Sequence, residues 1–302
     1  MRTETDRPPH PAAPGAEPLA RLVERLAAMA VPRPAHPAAH RIGAAVSGWS
    51  RRAGLGARPG DPALHRLAAR AFADGEPDAA ETFARWLVWT SRVRERPAAI
   101  PAVIAAAEGG EPGRTPLERA FAGLWETCAA GMDDPWRARF LAGLAAQREA
   151  PAAAGPAAAT GRPARAGGDA FGRYLLDLAE PCAGVRVPEP VRASRQWRAV
   201  VEASADVAAW CVDLVSGGDR APVAGVFLER SRDALPERLV DRVGDRMEEL
   251  WTAARAVPLL LDGHGLGFGA SREVMRVACA FLTIPRAYLE WLLESSRYRH
   301  LE

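Results

Sequence analysis

Lysine is missing from this 302-residue chain: its 39 basic residues are all arginine, set against 37 acidic ones for a net charge of only +2. So even a balance supplies no field to draw in nucleic acid or an anionic membrane surface, and no nucleic-acid partner is expected. Cysteine is scarce. Cys128, Cys182, Cys211 and Cys279 lie far apart, without the spacing of a metal site or a disulfide framework, and no charged-then-apolar leader precedes a cleavage site. The expected compartment is a reducing cytoplasm. Long apolar runs are lacking as well: Val257 to Leu261 falls far short of the roughly 20 residues that cross a bilayer, which predicts no membrane span. Strand-type alternation is absent, and aspartate does not occur between Asp78 and Asp133.

What the chain does have is helical rhythm. In Trp197 to Val215 the set Val200, Val207, Cys211 and Leu214 keeps the three-and-four spacing of one buried helix face. The same rhythm recurs in Asp78 to Val93, Leu117 to Gln147, Leu239 to Ala256 and Val274 to Leu293, so the predicted fold is all-α. Residues 1–30 read as a disordered Pro/Ala-rich leader, with a short amphipathic turn at Leu19 to Met29, and 150–168 as a flexible loop. The Met132-Asp133-Asp134 run reads as a helix cap, with Asp134 just before Pro135 at the first helical position. His264 to Gly269 has the glycines of a phosphate loop, but no strand precedes it, and it reads as a connection between late helices. His36 and His40, beside Pro37, are too few for a zinc site. The nine tryptophans, at helical spacing, read as core.

Four segments carry a family resemblance. They are VPRPAHPAAHRIGAAVSGWSRRAGL (Val31 to Leu55), LERAFAGLWETCAAGMDDPWRARF (Leu117 to Phe140), ASADVAAWCVDLVS (Ala203 to Ser216) and WLLESSRYR (Trp291 to Arg299). Their content and order resemble those of bacterial class I terpene synthases over roughly residues 31–300. The resemblance implies a single α-helical bundle around a central apolar pocket, with 150–168 as a loop inside the domain at 31–300. Trp86, Trp89 and Val212 are expected at that pocket. A homodimer is compatible with the resemblance.

In that family the pocket mouth holds magnesium through two carboxylate- and amide-bearing motifs, because a hard cation takes oxygen ligands in near-octahedral geometry. Here the positions matching the first motif, counted from Trp86, are Arg94, Glu95 and Ala98; those matching the second are Val212, Ser216 and Arg220. Valine offers no ligand atom and arginine no lone pair. Only Asp213 and Ser216 remain of the second motif, and Gly217-Gly218 favours ending the helix before its third position. The aspartate gap between positions 78 and 133 means that sliding the alignment cannot restore the first. No metal site and no cofactor are expected.

Arginines are retained or gained instead. The resemblance carries the Arg297-Tyr298 pair over intact and sets Arg165 near the position of a diphosphate-sensing arginine. Arg94, Arg165, Arg220 and Arg297, with Ser216, form a candidate metal-free anion site, since guanidinium forks match phosphate oxygens. Asp213 and Glu95, assisted by Tyr298, are the candidate proton donors, because burial beside an apolar pocket keeps a carboxyl protonated. Three readings follow, in rank order. The first is an atypical cyclase acting without magnesium on a small apolar or isoprenoid substrate, with or without a diphosphate, in terpenoid or other natural-product biosynthesis. The second is a catalytically silent homologue that binds a hydrophobic ligand or a partner enzyme; an ordinary metal-dependent synthase with a displaced motif ranks third, since the sequence shows no ligands for it.

Overall fold

The computed structural model describes residues 34–56, 63–111, 113–149, 173–216 and 234–294, together with Glu24; the side chains of 149, 211–216, 234–239 and 292–294 lie outside that description. The expected leader (Glu24 apart) and the loop at 150–168 fall outside it too. The helices in chain order are α1 (Ala39–Arg52), α2 (Leu64–Ala71), α3 (Pro77–Val93), α4 (Ile100–Ala107), α5 (Pro116–Ala129), α6 (Asp134–Glu149), α7 (Tyr174–Asp177), α8 (Ala179–Ala183), α9 (Glu189–Arg192), α10 (Arg195–Ser216), α11 (Ala234–Gly263) and α12 (Phe268–Glu294). A 3-10 turn, Pro97–Ala99, links α3 to α4, and no strand occurs among the described residues. The fold is all-α, as the rhythm predicts.

Local chemistry sets the helix ends. Thr115 begins α5 with a capping box: its hydroxyl accepts from the Glu118 N–H at 3.3 Å while the Glu118 carboxylate accepts from the Thr115 N–H at 3.1 Å. That backbone bond, the largest influence on it, holds the Glu118 carboxyl below its ordinary range. A depressed folded pKa contributes stability that is present above the ordinary carboxylate range and lost as pH falls through the folded value. Thr115→Ala should lower stability by about 1 kcal/mol in urea titration; an unchanged midpoint refutes the cap's contribution. At α6 the cap lies one residue earlier than expected. Asp133, not Asp134, accepts from the Trp136 N–H at 2.9 Å, because Asp134 already has helical geometry and Pro135 follows it inside the first turn.

Two helices close on left-handed glycines. Gly184 (φ +64°) ends α8, with Val185 N–H reaching Glu180 O and Gly184 N–H reaching Pro181 O. Gly265 (φ +69°) ends α11 with the matching pair, Leu266 N–H to Leu261 O and Gly265 N–H to Asp262 O. Both are Schellman closures, which an L side chain at the left-handed position resists. The glycine-rich run from His264 is therefore the α11–α12 turn, as expected.

Helix α3 packs on α1, α2, α5 and α8, whereas α10 packs on α11 and α12; α12 joins the two groups by packing also on α2 and α8. Arg246 of α11 binds Asp206 at 2.7 Å, and the Arg242 guanidinium lies 5.2 Å from the Trp210 ring. Residue numbers rise along α10 as they fall along α11, so the two are antiparallel. The turn at 264–267 reverses the chain again, so α12 runs parallel to α10 and their C-termini share one end of the bundle. At the opposite end the turn exposes Leu259 (76 %) and Phe268 (87 %), the large hydrophobics left open among the described residues. No helix is long and apolar enough to cross a membrane, among the described residues.

Candidate active site

The first motif region is the end of α3. Thr90 and Val93 are buried, then Arg94 forms the C-cap and Arg94, Glu95 and Arg96 are exposed. Proline at 97 cannot continue the helix, and it opens the 3-10 turn. A guanidinium at a helix C-terminus is favourable on its own account, since the last carbonyls carry partial negative charge. Ala98 lies in the 3-10 turn.

The second motif region is the last turn of α10. Val212, Asp213 and Ser216 all belong to that helix, but their side chains lie outside the described residues, as do Arg165, Arg220, Arg297 and Tyr298 altogether. The described structure thus brings together Arg94 with Glu95 at one helix end, and Val212 with Asp213 and Ser216 at another. Among the described residues no three His, Cys, Asp or Glu side chains are grouped so as to hold a metal ion.

Trp86 and Trp89 are fully buried on α3, within an aromatic cluster. Trp86 meets Trp89, Phe121 and Phe140 edge-on, at 5.6, 5.7 and 5.1 Å between centroids. Both indoles are satisfied: Trp86 Nε1–H donates to Cys128 Sγ at 3.2 Å and Trp89 Nε1–H to the Leu117 carbonyl at 2.9 Å. They lock α3 onto α5 and α6. A cleft of about 440 Å³ lies alongside, lined by Thr127, Cys128, Met132, Pro181, Gly184 and Arg186.

Three features are not legible in the sequence, the first two of them near these ends. Thr90 and Tyr174 form a buried hydroxyl pair at 2.7 Å, one turn before Arg94; nothing in the sequence marks Tyr174, which follows the Ala/Gly/Pro-rich stretch. Arg242 stacks on Trp210, two residues before Val212, a pairing visible only once α10 and α11 are antiparallel. His36, which the spacing offered as a doubtful metal ligand, is a local brace. Its Nδ1 accepts the Ala38 N–H at 3.0 Å and its Nε2–H donates to Gly75 O at 3.1 Å, an assignment that uses both ring nitrogens.

No family model matches the chain, and no curated protein matches it in sequence. Solved structures do match in shape. Germacradien-4-ol synthase from Streptomyces citricolor is 21% identical, with 85% of this chain and 94% of that one covered at a TM-score of 0.66. An α-eudesmol synthase is 18% identical, with coverage of 87% and 97% and a TM-score of 0.69. Linalool/nerolidol synthase from Streptomyces clavuligerus, in complex with 2-fluorogeranyl diphosphate, is 22% identical, with coverage of 89% and 99% and a TM-score of 0.67. With helices matched over nearly the whole of each of these proteins, the chain has the all-α fold of the class I terpene synthases.

Proposed function

We propose that this chain is an atypical terpene synthase-like cyclase, acting on an isoprenoid or similarly apolar substrate without a magnesium cluster. The observation that carries the reading is the end of α3, where Arg94 caps the helix and Glu95 and Arg96 follow. A guanidinium has N–H donors only, so Arg94 cannot ligate a cation. The chain has no asparagine anywhere, and valine and arginine stand at positions 212 and 220. This residue set does not fit a magnesium cluster. It does fit an anion, for which Arg94 with Arg165, Arg220, Arg297 and Ser216 supplies donors.

In this reading the chemistry is acid-assisted or templated. A carboxylic acid, Asp213, gives its proton to an alkene carbon, with Tyr298 assisting; Glu95, exposed at the end of α3, lacks the burial on which its candidacy as a donor rested. Ring closure then consumes the resulting cation's neighbouring double bond, and loss of a proton from an adjacent carbon regenerates the acid. The substrate leaves isomerised, with no change in composition. Arginine binding of a diphosphate holds the head group without driving its departure, because a hydrogen-bonded guanidinium polarises the leaving oxygen less than a divalent ion does.

One observation favours the second reading, a silent homologue that binds a hydrophobic ligand or partner enzyme. Trp86 and Trp89 are spent on the packing of α3, so neither is left to shape a substrate's path. Incubation with geranyl, farnesyl and geranylgeranyl diphosphate separates the alternatives, since the similarly folded linalool/nerolidol synthase was crystallised with a geranyl diphosphate analogue. The expected result is cyclised product, indifferent to chelator. Product that requires magnesium overturns the metal-free proposal, and no product under any condition leaves the silent homologue standing. Pyrophosphate binding that survives both chelator and Arg94→Ala removes Arg94 from the anion site.

A further inference from the structure

Helix α12 contains Pro285 in its interior. Proline has no N–H, so the carbonyl four residues earlier, Phe281 O, loses its partner in the helix ladder. That carbonyl is buried, and an orphaned buried acceptor is costly. It is met from another helix: the Ser204 hydroxyl of α10, with 0% exposure, donates to Phe281 O at 2.7 Å. Within the same turn the Thr283 hydroxyl lies 2.8 Å from Ala71 O, at the end of α2. The helix is thus held from two sides at the place where its own hydrogen bonding is interrupted. Beyond Pro285 a separate set of contacts takes over: Arg286 with Glu290 at 2.9 Å, Arg70 with Glu290 at 3.4 Å, and stacking of Tyr288 on Trp291.

We propose that Ser204 and Pro285 form a joint in α12, with a side-chain hydroxyl replacing the missing amide, and that Arg286–Glu294 moves as one piece about it. This piece runs toward the same end of the bundle as the C-terminus of α10 and precedes Arg297 and Tyr298 in sequence. Ser204 is therefore a positioning residue for the candidate mouth, acting through Phe281 rather than touching substrate. Its relevance to catalysis rests on the function proposed above; the joint itself does not.

Hydrogen exchange on the full chain without ligand tests the joint. In the parent, amides of 286–294 should open more readily than those of 268–281. Ser204→Ala should speed exchange in 286–294 by about tenfold or more, the scale of an orphaned buried carbonyl, and leave α3 and α5 unchanged. Pro285→Ala returns an N–H to Phe281 O, so it should slow exchange in 286–294 and make Ser204→Ala nearly silent in that background. An equal effect of Ser204→Ala with proline or alanine at 285, or an increase spread evenly over all helices, overturns the joint. Adding pyrophosphate is a separate arm. Protection of 286–294 in the parent that is lost in Ser204→Ala links joint and mouth, whereas an intact joint with no protection refutes only its placement at an anion site.

Discussion

Glu180→Ala should lower folding stability by about 3–5 kcal/mol, the cost of breaking a buried charge network by deleting one member. In a thermal melt this is a fall on the order of 10 °C. Glu180 lies on α8 with its side chain only 4% exposed, yet all its bonds are made. It accepts from Arg139 of α6 at 2.8 Å and from the Val187 N–H at 3.0 Å, with Arg192 of α9 at 3.8 Å. Arg139 also binds Asp177 of α7 at 2.6 Å, and Arg192 binds Asp133 at 3.0 Å and Glu189 at 2.6 Å. The network thus ties the three short helices α7, α8 and α9 to α6. An unchanged melting temperature in Glu180→Ala refutes that role.

The same network sets a pH dependence opposite to that of surface salt bridges. Burial, the largest influence, raises the Glu180 carboxyl despite the Val187 N–H and the two arginines, and burial likewise raises Asp177 despite Arg139. A raised folded pKa means stability that is fully present below the ordinary carboxylate range and is lost as pH climbs through the folded values. Asp133 runs the other way. Burial pushes it up, but hydrogen bonds from Arg192 and the Trp136 N–H, with the charges of Arg192 and Arg186, outweigh that and leave it lowered. Its contribution is present above the ordinary range and fades as pH falls. Glu180→Gln has no proton to lose, so its stability relative to the parent should improve as pH is raised through the Glu180 window. Parallel urea curves at every pH for Gln and Glu exclude this account.

Trp86→Ala should cost about 3–5 kcal/mol, because the cavity it leaves is walled by rings that cannot close over it. The ring's three aromatic neighbours sit on α3, α5 and α6, so the loss loosens three helices at once. A second readout comes from Cys128. Burial raises its thiol to about 11, although the Trp86 N–H pulls it down, and the intact protein should resist alkylation there at neutral pH. Trp86→Ala should speed alkylation of Cys128, while Trp86→Phe, which retains most of the ring volume, should stay close to the parent. If Trp86→Ala leaves both urea midpoint and alkylation rate unchanged, the aromatic cluster is not what holds α3.

These effects divide by how far apart in sequence their parts lie. Apolar rhythm marks α3, α10, α11 and α12, because that signal repeats within a turn or two. The α7–α9 region gave no such signal. Its helices are short, interrupted by Pro181, Pro188 and Pro190, and kept in place by charges whose partners are 38 to 59 residues away. Separation in sequence also hid the Ser204–Phe281 bond. At the candidate mouth, residue identity is what the sequence offered: arginine and valine where oxygen ligands are needed. Arg94 at the end of α3 and Val212, Asp213 and Ser216 in the last turn of α10 are as far as the described structure carries that reading.

The exposed pair at the α11–α12 turn has a practical corollary. Leu259 and Phe268 sit at the end of the bundle opposite the C-termini of α10 and α12, and Pro258 to Ala270 carries a single carboxylate and no arginine. Among the described residues, this turn is the large apolar contact offered to a hydrophobic resin or sensor surface. Immobilised by that end, the protein presents the termini of α10 and α12 to the bulk liquid, an orientation that suits surface-based ligand measurements without a coupling tag.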